Sequence, residues 1–84
     1  MYFLYILRCS DGSLYVGITN DLENRIKVHN AGKGAKYTRS KWPVVLVYSE
    51  KHNNHKEAAK RESQIKGWNK EKKENLIKYG EPGV

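Results

Sequence analysis

The sequence predicts an α+β domain: a three-stranded antiparallel sheet flanked by helices, in the order strand, strand, helix, strand, helix, helix. Two observations lead to this prediction. Short runs rich in aromatic and aliphatic residues, which suit a pleated sheet, occupy residues 2–8, 13–19 and 44–48. Longer polar segments with apolar residues at helical spacing begin near residues 20, 54 and 70.

Length and composition indicate a single domain over residues 1–84. Hydrophobic residues make up 38% and charged residues 30%, which is typical of a soluble domain and not of a disordered tail or a fibrous repeat. A single cysteine, Cys9, excludes an internal disulfide, and no apolar run approaches the roughly 20 residues of a membrane span. The N-terminus also lacks a charged segment ahead of an apolar one, so we expect a cytoplasmic protein.

The first two strands should form a hairpin, and its register decides where two tyrosines point. A two-residue turn would send Tyr5 and Tyr15 to opposite faces of the sheet. A three-residue loop closed by Gly12 in the left-handed region instead pairs Tyr5 with Gly17 and Leu7 with Tyr15. We favour this second register because it also places five aliphatic side chains together on the opposite face. They are Leu4, Ile6, Leu14, Val16 and Ile18.

A helix follows the hairpin, capped by Thr19 or Asn20 and ending near residues 30–32. Spacings of three and four residues place Arg25 and His29 on its packed side, next to Leu22 and Ile26. The third strand, residues 44–48, is apolar enough that we expect it to be largely buried.

The second helix, capped by Asn53 or Asn54 and reaching about Trp68, carries Glu62 within its inward apolar stripe. A carboxylate in that position loses hydration and needs a cation, a hydrogen-bond network or a metal. The ordinary interpretation is an ion pair with Lys or Arg, or a stripe edge that is open to water. A third helix should span residues 70–79.

The net charge of +7 indicates a polyanionic partner without deciding between nucleic acid and a membrane surface. Residues 25–41 contain six basic residues and no acidic one, with Tyr37 inside and Trp42 next to the segment. Cationic groups neutralise phosphates and aromatic rings stack on bases, although a solvated loop is the simpler interpretation. The residues predicted to bind nucleic acid are Lys33, Lys36, Tyr37, Arg39 and Lys41.

Taken singly, the polar residues of the predicted site have ordinary explanations: tyrosines pack in sheets, an Arg stem covers apolar surface, and histidines are often structural. Their convergence is more informative. Two phenols on one sheet face, Arg25 and His29 one helical turn apart, and an inward carboxylate together suit phosphodiester hydrolysis. Paired Cys or His metal motifs, a phosphate-binding glycine loop and a serine nucleophile elbow are absent from the sequence.

These residues resemble the motifs of the GIY-YIG nuclease superfamily, and within it the small single-domain bacterial subgroup known as UPF0213. Residues 3–5 (Phe-Leu-Tyr) and 15–17 (Tyr-Val-Gly) resemble its two name-giving motifs, with Phe3 and Leu4 in place of glycine and isoleucine. Residues 29–39 resemble the signature of the subgroup. Residues 61–66 resemble the segment whose glutamate binds the metal in family nucleases. The likeness covers nearly the whole chain.

The resemblance implies a metal-dependent DNA endonuclease. Tyr5 and Tyr15 would lie at the active site, one of them as general base, and Arg25 would contact the scissile phosphate. His29 would assist or replace the base, and Glu62 would bind Mg²⁺ or Mn²⁺. Many family nucleases also use an asparagine after the glutamate. Asn69, Asn75 or neither of them fills that role here, and it is left unassigned.

The expected partner is DNA, single-stranded or branched and read with weak sequence selectivity, with RNA as an alternative and no membrane. A binding module that kept the fold without cutting is the main alternative function, and a small basic protein that contacts an acidic protein is a third. An inward glutamate favours the enzyme over a pure binder. The sequence makes no prediction about the oligomeric state.

Overall fold

The computed structural model describes residues 1–34 and 38–80. Its strands are β1 (Tyr2–Arg8), β2 (Leu14–Thr19) and β3 (Val45–His52), and its helices are α1 (Leu22–Asn30), α2 (His55–Lys66) and α3 (Lys70–Tyr79). The strands form one antiparallel sheet in the order β2-β1-β3. The predicted fold class and element order are therefore confirmed. No helix in the described part of the chain is long and apolar enough to cross a membrane.

The hairpin has the predicted three-residue register. Tyr5 lies opposite Gly17 and Leu7 lies opposite Tyr15. Gly12 adopts a φ of 85°, in the left-handed region where glycine avoids the steric cost that a Cβ would bring. Both phenols consequently project from the same face of the sheet, as the aliphatic pattern on the other face required.

Two hydrophobic clusters, one on each face of the sheet, hold the layers together. The aliphatic face packs against α2 and α3, and its buried members are Leu4, Ile6, Val16, Ile65 and Leu76. The tyrosine face packs against α1 through a second cluster, which contains Tyr5, Leu7, Cys9 and Val44 with Leu22 and Ile26 at its margin. The sheet thus lies between α1 on one side and α2 with α3 on the other.

The cap of α1 differs from the prediction. The side chain of Asp21, not of Thr19 or Asn20, accepts the hydrogen bond from Asn24 N, at 3.1 Å. Thr19 Oγ1 instead accepts a hydrogen bond from Asp21 N, the residue before the helix, at 3.1 Å. The prediction failed because three successive residues are all acceptable caps, and only the path of the chain leaving β2 selects among them.

The prediction that the third strand is largely buried was also wrong. β3 is an edge strand, begins at Val45 and continues to His52, and Val45 is 60% exposed. Its pairing with β1 carries a bulge between Ile6 and Leu7, which shifts the register by one residue. An edge strand with one partner leaves part of its apolar surface uncovered, whatever its composition.

A polar cluster joins β3 to α2 on the aliphatic side of the sheet. Glu50 accepts a hydrogen bond from Arg61 Nε at 2.8 Å and lies 2.9 Å from His52 Nε2, and it also accepts one from the Tyr48 hydroxyl. Burial alone would raise the pKa of Glu50, but these three hydrogen bonds outweigh it and lower the pKa overall. The carboxylate therefore stays ionised and stabilises the contact between strand and helix.

Candidate active site

A buried chain of three polar side chains lies between the tyrosine face of the sheet and α1. Tyr5 Oη is 3.1 Å from His29 Nε2, and His29 Nδ1 is 2.7 Å from Thr38 Oγ1. Tyr5 is 2% exposed, His29 1% and Thr38 not at all. Both imidazole nitrogens thus have a partner, as buried polar atoms require.

Local sequence explains why His29 reaches this position. It lies in the last turn of α1, and the neighbouring Asn30 anchors that end of the helix to the residue before β3. Asn30 Oδ1 accepts a bond from Val44 N at 2.7 Å, while its Nδ2 donates to Val44 O at 3.2 Å. This two-point contact fixes the end of α1 over the sheet and the imidazole over Tyr5.

Two glycines leave the space that the rings occupy. A Cβ at Gly17 would lie 2.6 Å from Tyr5 Oη and 3.0 Å from Tyr15 Cε2. A Cβ at Gly34 would lie 2.3 Å from His29 Nδ1. Since real Cβ atoms do not approach other atoms so closely, both positions need glycine for the observed ring placement.

The electrostatic environment keeps Tyr5 protonated and His29 neutral. Burial raises the pKa of the Tyr5 phenol well above its usual range; Tyr15 and the charge of Glu62 raise it further, while Arg25 opposes them. Burial also lowers the pKa of His29, and the positive charge of Arg25 lowers it further. A protonated phenol next to a neutral imidazole is a pair in which the imidazole can accept a proton.

Tyr15 and Arg25 lie next to the hydrogen-bonded side chains of Tyr5, His29 and Thr38 and are more exposed than they are. The Tyr15 ring centroid is 5.3 Å from that of His29 and 6.3 Å from that of Tyr5. Tyr15 is half-buried and Arg25 is exposed, with its charge close enough to influence both Tyr5 and His29. The structure therefore brings four of the predicted site residues together: Tyr5, Tyr15, Arg25 and His29.

Glu62 lies on α2, the helix that packs against the aliphatic face, and its charge acts on the Tyr5 phenol. Its side chain is 21% exposed and its Oε2 lies 3.2 Å from Lys66 Nζ, one helical turn away. The carboxylate thus has the lysine partner of the ordinary interpretation and also an opening to solvent. Because Lys66 is itself 53% exposed, the pair is a surface ion pair that contributes little to stability.

The donor set near Glu62 suits only a largely hydrated ion. Within residues 1–34 and 38–80, no three His, Cys, Asp or Glu side chains lie close enough to hold a metal together. Mg²⁺ typically keeps several waters and uses one or two carboxylates plus substrate phosphates. A single carboxylate that is open to water fits that pattern, provided that a phosphate completes the coordination.

The predicted nucleic-acid-binding residues lie in and around the segment that follows α1. Lys33 and Arg39 are exposed, and Lys41 lies 3.4 Å from Asp11 in the hairpin loop. Lys41 N also donates to Thr38 O at 3.0 Å, which connects this basic turn directly to the partner of His29. Lys36 and Tyr37 lie outside the described residues.

The two candidate asparagines have different environments on α3. Asn69 is the N-cap, and its side chain accepts a hydrogen bond from Lys72 N at 2.8 Å. Asn75 is half-buried within the helix. The cap gives Asn69 a structural role on α3.

Sequence reasoning did not find Thr38, Asn30 or Gly34 as parts of the site. Thr38 and Gly34 lie within the stretch that resembles the subgroup signature, but nothing in their spacing indicates contact with an imidazole. The sequence predicts only that α1 ends near residues 30–32, and the contact of Asn30 with Val44 depends on how β3 returns to the sheet. The one signal in the sequence is His29 itself: a histidine on the packed side of a helix needs hydrogen-bond partners for both ring nitrogens.

Comparison with known proteins bears on this arrangement. The family model described as the GIY-YIG catalytic domain matches residues 1–75. The chain belongs to the GIY-YIG family. This is the family of nucleases that the motifs around Tyr5 and Tyr15 resemble.

GIY-YIG relatives similar to this chain carry the name UPF0213. A UPF0213 protein of Staphylococcus aureus (strain Mu3) is 51% identical over 77 residues, which is 92% of this chain and 94% of that protein. A UPF0213 protein of Bacillus pumilus is 49% identical over 76 residues, covering 90% of this chain and 78% of its own length.

Two solved structures share the fold. The solution NMR structure of a UPF0213 protein of Bacillus halodurans is 44% identical, covers 93% of this chain and 84% of its own, and has a TM-score of 0.60. That of a protein of E. faecalis is 40% identical, covers 92% and 82%, and has a TM-score of 0.63.

Proposed function

We propose that the protein is a divalent-metal-dependent endonuclease that hydrolyses phosphodiester bonds of DNA. The observation that carries the proposal is the buried Tyr5–His29 hydrogen bond, which joins a protonated phenol to a neutral imidazole. The charge of Arg25 acts on both groups, and that of Glu62 acts on the phenol. A module that only binds nucleic acid has no need to bury such a pair.

The pair supplies a path for the proton of the attacking water. Tyr5 Oη accepts that proton while its own proton passes to His29 Nε2, and Nδ1–H donates to Thr38 Oγ1. The water oxygen forms a bond to phosphorus and the bond to the leaving oxygen breaks. The leaving oxygen then takes a proton from solvent, which gives a phosphate monoester and an alcohol, and His29 releases its extra proton to solvent through Tyr5.

Arg25 and Tyr15 make the contacts to the phosphate. The guanidinium of Arg25 is exposed and lies near enough to the phenols to offset the negative charge that develops on the phosphoryl oxygens. The half-buried Tyr15 hydroxyl orients the same group, because its ring borders both His29 and Tyr5.

Glu62 would hold the metal, and in this structure its carboxylate is paired with Lys66. When bound, Mg²⁺ or Mn²⁺ would polarise the phosphate as a Lewis acid and stabilise the leaving oxygen. Since the side chain of Lys66 is half exposed, it can move from the carboxylate at little cost.

The substrate we propose is single-stranded or branched DNA, cut with weak sequence selectivity. Trp42 is 56% exposed and follows the basic turn that contains Arg39 and Lys41. Unpaired bases can stack on such a ring, whereas the bases of an intact duplex are already stacked on each other.

The test is to incubate the protein with single-stranded, branched and duplex DNA, with and without Mg²⁺ or Mn²⁺. Wild type should cut in the presence of metal. Tyr5→Phe should lose at least about 100-fold in rate, the scale of a general-base contribution, and Glu62→Gln should lose the cutting that depends on metal. Lys60→Gln, an exposed substitution on the same helix as Glu62, serves as the control and should cut normally.

The alternative function, a binding module, has one observation in its favour: Glu62 already has a lysine partner. If wild type and both variants bind every DNA without producing fragments under any metal condition, the binding module replaces the nuclease. If DNA is cut at the same rate in chelator as in added metal, the role of Glu62 as a metal ligand is contradicted.

A further inference from the structure

A groove runs along the free edge of β2, outside the basic segment that follows α1. Near its centre, a depression of about 370 Å³ is lined by Lys66 and Lys73 together with residues 14–16 of the strand. A second depression, of about 290 Å³, continues to the hairpin loop and shares Leu14 and Lys73 with the first. We call these two depressions together the β2-edge groove.

The lysines of the β2-edge groove come from two helices that face the same strand edge. Lys70 and Lys73 are three residues apart and therefore lie on the same side of α3, while Lys66 ends α2. Lys70 Nζ donates to Gly12 O at 3.1 Å, which places its charge at the hairpin loop. The groove is thus bordered by three cations from Tyr15 to the loop.

The three cations differ in the negative charge near them, and the charge of Lys70 acts on Glu74, which itself pairs with Arg8. Within residues 1–34 and 38–80, no carboxylate forms an ion pair with the half-buried Lys73. Lys66 is paired with Glu62, the proposed metal ligand, and Asp11 at the far end is paired with Lys41 at 3.4 Å. A lysine that lines an open depression and forms no ion pair among the described residues attracts an anion from solution.

We propose that the β2-edge groove binds the sugar-phosphate backbone of a nucleic-acid strand that leaves the active site at Tyr15. The proposal rests on the proposed function for the class of partner, since a repeated anion is needed to meet cations spaced along a strand edge. Lys73 contacts a phosphate directly, and Lys66 contacts the phosphate next to Tyr15.

The test measures binding to a fluorescein-labelled oligothymidylate of about 12 nucleotides by fluorescence anisotropy, with a chelator present so that nothing is cut. Lys73→Gln should weaken binding about three- to fivefold, the scale of an exposed ion pair. It should also lower the slope of log Kd against log salt by about 0.7, the value for one lost contact with a single strand. Lys73→Arg should restore both quantities.

The matched control is Lys60→Gln, which removes the same charge from an exposed position of α2 away from the groove. If Lys73→Gln and Lys60→Gln bind the oligothymidylate with the same Kd and the same salt slope, the proposal that the β2-edge groove binds nucleic acid is wrong. Amide NMR shifts that leave residues 14–16 and 73 unchanged while the oligonucleotide saturates the protein would also contradict it.

The two proposals fail in distinguishable ways. A wild-type protein that binds through Lys73 but never cuts DNA supports the groove and contradicts the nuclease. A protein that cuts DNA but binds as well without the Lys73 charge contradicts the groove alone. A wild type that cuts DNA in the presence of metal but does not bind the oligothymidylate in chelator also contradicts the groove alone.

Discussion

A methyl group added at Gly17 would clash with the Tyr5 ring. Because a Cβ there would lie 2.6 Å from Tyr5 Oη, we expect Gly17→Ala to displace both phenols and to lower the free energy of unfolding by about 1–3 kcal/mol, as overpacking does. The DNA cleavage rate should fall further than stability alone explains. Urea unfolding and a cleavage assay on folded protein measure the two effects.

Gly67→Ala is the matched control for this prediction. The nearest contact of a Cβ at Gly67 is 3.5 Å, an ordinary van der Waals distance, and its backbone is not left-handed. This variant should retain both stability and cleavage. Full cleavage by Gly17→Ala would mean that the position of the phenols does not matter to the reaction.

His29 makes stability depend on pH in a defined direction. Burial lowers its pKa in the folded state below the ordinary value of 6.5, so below that pH the unfolded chain binds more protons than the folded one. The stability that neutral His29 contributes is therefore present above pH 6.5 and is lost as pH falls through the folded-state pKa. Urea unfolding between about pH 7.5 and pH 5 should show this decline.

The comparison for His29 is His29→Gln, which lacks the titrating ring and should show a flatter profile over this pH range. His55→Gln removes an exposed histidine at the start of α2 and should keep the wild-type slope. Parallel profiles for wild type and His29→Gln would contradict the assignment of the decline to His29.

At the scale of the elements, the N-cap of α3 gives Asn69 a structural role. Asn69 accepts a bond from Lys72 N at 2.8 Å, and aspartate is as good an N-cap as asparagine. We expect Asn69→Asp to keep both stability and cleavage. Asn69→Ala should cost about 1 kcal/mol by thermal or urea unfolding, with the folded protein still active. Loss of cleavage in a stable Asn69→Asp would assign Asn69 to the reaction instead.

How far the sequence predicted these elements depends on how local their causes are. The register of the hairpin followed from the loop residues and from alternation along two adjacent strands, so residues within reach of one another decided it. α3 was predicted from residue 70 to residue 79 for the same reason. The exposure of β3 was not predictable in this way, because it depends on which strand lies at the edge of the sheet.

The candidate site divides in the same way. The placement of Tyr5 and Tyr15 on one face followed from the hairpin, and that of His29 from helical spacing on α1. Thr38 and the contact between Asn30 and Val44 join segments that approach only after the chain has folded back. The lysine partner of Glu62 follows from a spacing of four residues on α2, which the sequence does contain.

On the scale of the whole molecule, positive charge lies on both sides of the tyrosine site. One basic surface is the turn at residues 38–41, which begins at the partner of His29. The other is the β2-edge groove, which begins at Tyr15. A strand that passed from one surface to the other would cross the site, and its bases would remain free for contact with an exposed aromatic ring.

Trp42 is that ring, and its removal should discriminate between forms of DNA. It is 56% exposed, and its Nε1 would lie 3.8 Å from a Cβ at Gly32, just beyond the end of α1. Stacking on an unpaired base contributes about 1–3 kcal/mol, so Trp42→Ala should weaken binding of single-stranded DNA by about tenfold and of duplex by much less. Anisotropy titrations at one salt concentration measure both.

Tyr79→Ala provides the control for Trp42, because Tyr79 is a similarly exposed aromatic residue, 62% accessible, at the end of α3. It should leave both affinities unchanged. Equal losses for single strand and duplex in Trp42→Ala would show that the ring supports the shape of the basic turn and does not stack on bases. The cations would then be the remaining contacts to DNA. Because cations neutralise the phosphates of single strand and duplex alike, no preference for unpaired DNA would be expected.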